Sequence, residues 1–173
     1  MNERLIAAVE QVLAQGLSLL ESLSNENYAA RLGRPHNASV GGHYRHVLDH
    51  LLCLQAGLMN GQVNYDLRSR DPRLEQDRQY AIEVSKRLSF AFSGISAGKC
   101  EEPVAVAYAV NYTSPGFEWL TSTVGRELAF CTGHAIHHYA IIRLLCAEFD
   151  TELPEHFGVA PSTLRHRQAH LAS

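Results

Sequence analysis

Residues 122–150, STVGRELAFCTGHAIHHYAIIRLLCAEFD, are the longest and least polar run in the chain. Leu128, Phe130, Ala135, Ile141, Ile142, Leu145 and Phe149 recur at helical spacing, Ser122 or Thr123 offers an N-cap oxygen, and Asp150 closes the run. This is a helix that has to share a core with the segments before it.

Just upstream, Val104, Val106, Tyr108 and Val110 alternate with smaller residues, and the aromatic run Phe117–Leu120 follows a Thr113-Ser114-Pro115-Gly116 turn. That pattern predicts a short β-hairpin. Before it, Asp71 and Pro72 open a helix along which Leu74, Ala81, Val84, Leu88, Ala91 and Ile95 stay in phase. GQVNYDLRSRD, residues 61–71, reads as a polar link. Ser39 caps a helix running to about Asn60, after a connection punctuated by Gly33, Pro35 and Asn37, and Leu5 to Leu23 mark a first helix from Asn2 to Ser24. The tail, residues 151–173, offers Phe157 and Val159 as docking residues and ends in a mobile stretch. These elements predict an all-α fold, a four-helix bundle with a short β-hairpin before the last helix. It forms one domain over 1–173, with the bundle at about 2–150.

With 46% hydrophobic and 19% charged residues, 173 residues suffice for one core. The formal net charge of -3 leaves no positive excess for a phosphate backbone, so no nucleic-acid partner is expected. MNERLIAAVEQVLAQG fits neither a signal peptide nor the roughly 18 apolar residues of a membrane span, which predicts a cytoplasmic protein with no membrane partner. Cys53, Cys100, Cys131 and Cys146 form no CxxC pair and are expected as reduced packing thiols.

Six of the ten histidines fall in two groups, His43, His46 and His50 on the second helix and His134, His137 and His138 on the last. His134 and His138, four apart, share a helix face and can grip one ion. His43, His46 or His50 could add a third nitrogen from across the bundle, and spacing does not choose among them. Three imidazoles would leave a fourth position for water or substrate, whereas structural zinc sites are closed. Asp49 and Glu127 are the candidate catalytic carboxylates, as base, ligand or acceptor for an imidazole N–H, although Glu127 also suits the positive end of its helix. Cys53 and Cys131 are in phase with the histidines but are expected to pack. His137, rotated about 100° from His138, is left outside the site.

SVGGHYRHVLDH (39–50) and HAIHHYAIIR (134–143) resemble the second- and fourth-helix motifs of the DinB/YfiT-like superfamily. The resemblance implies an up-down-down-up bundle, a homodimer, and one divalent ion. That ion would be zinc or nickel first, with iron or manganese as alternatives, held by His46, His134 and His138 with His43 as rival for the first position. It also implies thiol-dependent transferases and isomerases among the relatives. Sulfoxide synthases built on that bundle carry HxxxHxE, and Ala140 stands at the glutamate position here, which argues against oxidative chemistry.

The expected function is a metal-dependent hydrolase or thiol-dependent S-transferase, acting on a small-molecule substrate through a metal-activated water or low-molecular-weight thiol. The alternative is a non-catalytic dimeric bundle module whose metal is structural or vestigial. An open cleft at the ion would favour the enzyme and a sealed site the module.

Overall fold

The computed structural model describes residues 3–33, 37–113 and 116–171. Asn2, Pro35, His36, the Ser114 and Pro115 of the expected turn, and residues 172–173 lie outside the described residues.

α1 runs over Glu3–Ser22, and the short α2 over Asn25–Ala29 with the Ser24 hydroxyl accepting from Asn27 N–H at 3.0 Å. α3 is Val40–Gly57, capped by Ser39 Oγ, which accepts from Gly42 N–H at 2.9 Å. β1 (Gln62–Asn64), α4 (Arg73–Gln76) and α5 (Arg78–Ser93) follow, then the strands β2 (Pro103–Tyr108) and β3 (Glu118–Thr123). α6 is Val124–Ala147, with the Thr123 hydroxyl taking the Arg126 N–H at 3.2 Å, and α7 is Pro161–Leu171. Among the described residues no helix is long and apolar enough to cross a membrane.

The all-α four-helix expectation is corrected by this architecture: the described residues form seven α-helices and a three-stranded mixed sheet. β2 pairs antiparallel with β3 as a hairpin should, but its other edge is taken by β1, parallel, with Val63 opposite Val106. The reason lies in the link read as polar. Val63 and Tyr65 alternate at i, i+2 and are both buried, too short a pattern to register as a strand yet enough to cover a sheet edge. Gly57 permits this, since a Cβ there would lie 2.6 Å from the Gln62 carbonyl oxygen. Val104 and Val106 share the buried side of β2, whereas Val110, read as part of the same alternation, lies past the strand and is 62% exposed.

The third predicted helix is broken in two. Asp77, extended at φ -114°, accepts from Tyr80 N–H at 3.0 Å and so caps α5, leaving α4 as a separate turn. That turn lies directly on α3, where a Cβ on Gly41 would run into the Glu75 carbonyl. The tail docks through buried Phe157, whose ring stacks on Tyr139 at 4.9 Å, and Arg143 donates to the carbonyls of Pro154, Glu155 and Phe157. Beyond it the tail forms α7, a helix that the sequence reading did not anticipate.

α1 and α3 each pack on both α5 and α6. One layer ties all four together. Tyr44 and Tyr139 stack at 6.2 Å, Tyr139 donates to the Val12 carbonyl at 3.0 Å, and Tyr44 donates at 2.9 Å to Ser85, whose own proton goes to the Ala81 carbonyl.

Candidate metal centre

His43 and His138 are the sequence neighbours of Tyr44 and Tyr139, turned about 100° round their helices, and they belong to a cluster of histidines. His46 of α3 and His134 and His138 of α6 present ligand atoms that all lie within 4.8 Å of one another. The i, i+4 spacing aligns the α6 pair, and the direct packing of α3 on α6 brings His46 across to them. Ring centroids are 5.0 Å apart for His46–His134, 4.5 Å for His46–His138 and 4.6 Å for His134–His138.

The remaining histidines are arranged around these three. His43 Nδ1 lies 3.0 Å from His138 Nδ1, so that nitrogen of His138 is engaged and Nε2 is its free donor. His50 donates from Nδ1 to the His46 carbonyl at 2.9 Å and lays its ring 4.3 Å from that of His134. His46 Nδ1 faces an Arg68 nitrogen at 3.5 Å. His134 Nε2 is buried with no hydrogen-bond partner among the described residues. His137 is exposed.

Electrostatics favour neutral rings. Burial first, then the neighbouring imidazoles and Arg68, push His46 down to about 3 and His134 to about 4; burial and the neighbouring imidazoles push His138 to about 3. All three are therefore uncharged at neutral pH, the form that coordinates a cation. An all-imidazole donor set suits zinc, nickel or iron, and the orphaned His134 nitrogen would gain a partner in such an ion. The residues fit a divalent ion.

A cavity of about 280 Å3 opens beside the cluster, lined by His43, His46, His138, Arg45 and Glu75 among others. Glu75 holds Arg45 at 2.6 Å and Arg31 at 2.8 Å. On the opposite side Phe130 stacks on His134 at 5.7 Å and Tyr65 on His50 at 5.3 Å.

The candidate carboxylates take different places. Glu127, fully buried, accepts from Tyr65 OH at 2.8 Å, Ser122 OH at 2.6 Å and Arg126 at 2.8 Å. It lies two turns before His134, about 10 Å along the helix axis, and fixes Tyr65 against the histidines. Asp49 is 2% exposed, has Arg45 Nε at 3.8 Å, and lines a different cavity from His43, His46 and His138. Cys131 and Cys53 stay outside the three-ligand group: Cys131 Sγ lies 3.6 Å from Tyr65 OH, and Cys53 donates to the Asn64 carbonyl. All four cysteines are unpaired thiols.

Sequence reasoning missed Tyr65, Arg68 and Phe130. The first two sit in the link without periodicity, while Phe130, four before His134 on the same face, could have been found from helical spacing.

No family model matches the chain. No solved structure matches it. A protein of Rhizopus delemar named FK506-binding protein 5 is 36% identical to it over 104 residues, 60% of this chain and 27% of that protein. The chain thus spans about a quarter of the length of this relative. These findings correct the DinB/YfiT-like assignment, because nothing in them points to that superfamily and the similarity found carries another name. The physical reason is that the two motifs were short. Histidines at i, i+3 and i, i+4 on two facing helices specify a cluster, and the Gly41 of SVGGHYRH is accounted for by the Glu75 backbone packed on it.

Proposed function

We propose that this protein is a divalent-metal-dependent hydrolase or transferase in which His46, His134 and His138 hold one ion and a small-molecule substrate enters beside His43 and Arg45. The observation that carries this reading is the convergence of three neutral imidazoles with one buried nitrogen left unpartnered, next to an open cavity. When bound, the ion supplies a positive charge that lowers the pKa of a water or small thiol into the neutral range. His43 accepts the Nδ1 proton of His138 on its own Nδ1, which orients the His138 ring and leaves the His43 Nε2–H for a substrate oxygen in the cavity. Arg45, braced by Glu75, takes a substrate oxygen. Glu127 and Asp49 serve at one remove, through Tyr65 and Arg45.

A cleft at the cluster favours this over a sealed structural site. A cytoplasmic location belongs to the same reading, supported by four unpaired thiols. So does a homodimer, supported by exposed Trp119 and Leu120 on the edge strand β3.

The test is turnover of an activated ester and of an alkyl halide by zinc- or nickel-loaded protein, with and without a small thiol. Turnover that requires the ion and disappears in His46→Ala and His138→Ala is expected. Rates no higher than those of the free ion would remove the catalytic reading. FK506, the ligand in the relative's name, is titrated calorimetrically alongside; binding that persists in both variants would favour a ligand-binding module instead.

A further inference from the structure

Between the second half of α3 and residues 60–69 lies another cavity, about 410 Å3, within the size range of small-molecule sites. Leu52, Cys53, Ala56 and Leu67 give it apolar walls, and Asp49 and Arg68 stand among its lining residues with their polar atoms just beneath the wall. Its polar groups are incomplete. Both Asp49 oxygens and Arg68 Nε are buried without a hydrogen-bond partner among the described residues, although buried polar groups are nearly always paired. Arg68 spends its other nitrogens on the Tyr65 carbonyl at 2.9 Å and on His46.

The charge balance selects the ligand class. A cation would gain Asp49 but meet the guanidinium groups of Arg68 and of Arg45, the latter 3.8 Å from Asp49. An anion would gain those two and meet the buried carboxylate. A neutral group with a donor and an acceptor side by side satisfies both orphaned partners without adding charge.

We propose that this cavity binds a neutral carboxamide, its N–H groups donating to Asp49, its carbonyl oxygen accepting from Arg68 Nε, and its apolar substituent lying against Leu52 and Ala56. The cavity shares no lining residue with the three histidines, meets them only where Arg68 approaches His46, and does not depend on a metal there.

The experiment is a heteronuclear NMR titration of the full chain with benzamide, benzoate and benzylammonium, three probes of one size and different charge. Benzamide is expected to bind with a Kd of about 1 mM, as a good fragment does, and to shift the backbone amides of residues 52–57 and 60–69. Benzoate and benzylammonium should bind about tenfold more weakly or worse, and Asp49→Leu should weaken benzamide by about the same factor. Absence of benzamide binding, equal binding of all three probes, or shifts confined to residues 43–46 and 134–138 would each overturn the proposal. The comparison of probes uses the natural chain, so it stands even if Asp49→Leu fails to fold.

Discussion

Two neighbouring layers of the α3–α6 interface use the same helices, the same spacing and adjacent residues to opposite ends. In one, Tyr44 and Tyr139 are buried, stack on each other, and complete their hydrogen bonds to α5 and α1. In the other, His43, His46, His134 and His138 stand half-buried beside a cavity, and His134 keeps a buried nitrogen unpartnered. A polar residue that serves packing closes its hydrogen bonds within the fold. One that leaves them open among converging neighbours is available to a ligand.

The largest effect should come from damaging the closed layer. Tyr139→Ala removes the stacking on Tyr44 and Phe157 and the bond to Val12, and should cost about 3–5 kcal/mol in denaturant unfolding, as other aromatic truncations in cores do. A cost near that of a surface substitution would erase the contrast between the layers. In the open layer, His43→Ala should leave the unfolding midpoint unchanged and weaken zinc binding about 10- to 100-fold, measured by chelator competition, with partial rescue by Asn. Glu127→Gln should lower stability by about 1–3 kcal/mol, because it unbalances three donors converging on one buried carboxylate.

Acid should separate the layers as well. His46, His134 and His138 bind protons only near pH 3 to 4 in the folded chain, but at about 6.5 when unfolded. The unfolded state therefore holds more protons in between, so metal-free stability should fall as pH drops from about 6.5 to 3 and stay flat above. Thermal unfolding across that range checks the sign, and His46→Leu should flatten the slope. Tyr44→Phe is the smallest change, about 0.5–1.5 kcal/mol, since Ser85 keeps its bond to Ala81.

What was legible in the sequence followed from long patterns. α1, α3 and α6 have apolar periodicity over many turns, and Ser39 and Thr123 announce two of their starts, so the two histidine groups could be set on facing helices. The hairpin was legible from the alternation of Val104 and Val106. The rest depended on contacts too short or too distant in sequence to leave a period. β1 is three residues long and exists through its pairing with β2. Asp77 resembles any exposed acid until its carboxylate is seen to cap α5. Spacing alone left His46 and His43 open and His46 was taken from the resemblance; what sets them apart in space is the 3.0 Å approach of His43 to the far nitrogen of His138, and Arg68 reaches the site from a segment that looks like a solvent-facing link. The family resemblance misled because it rested on the spacing that builds the cluster and on a glycine fixed by backbone packing.

Whether His46, His134 and His138 hold an ion is decided by metal content, measured by mass spectrometry on untagged protein after equilibration with zinc or nickel, comparing the natural chain with His46→Ala, His134→Ala, His138→Ala and His50→Ala. One ion per chain is expected, lost in each of the first three variants and retained in the fourth. Absence of metal from the natural chain, or equal retention in all four variants, would contradict that expectation.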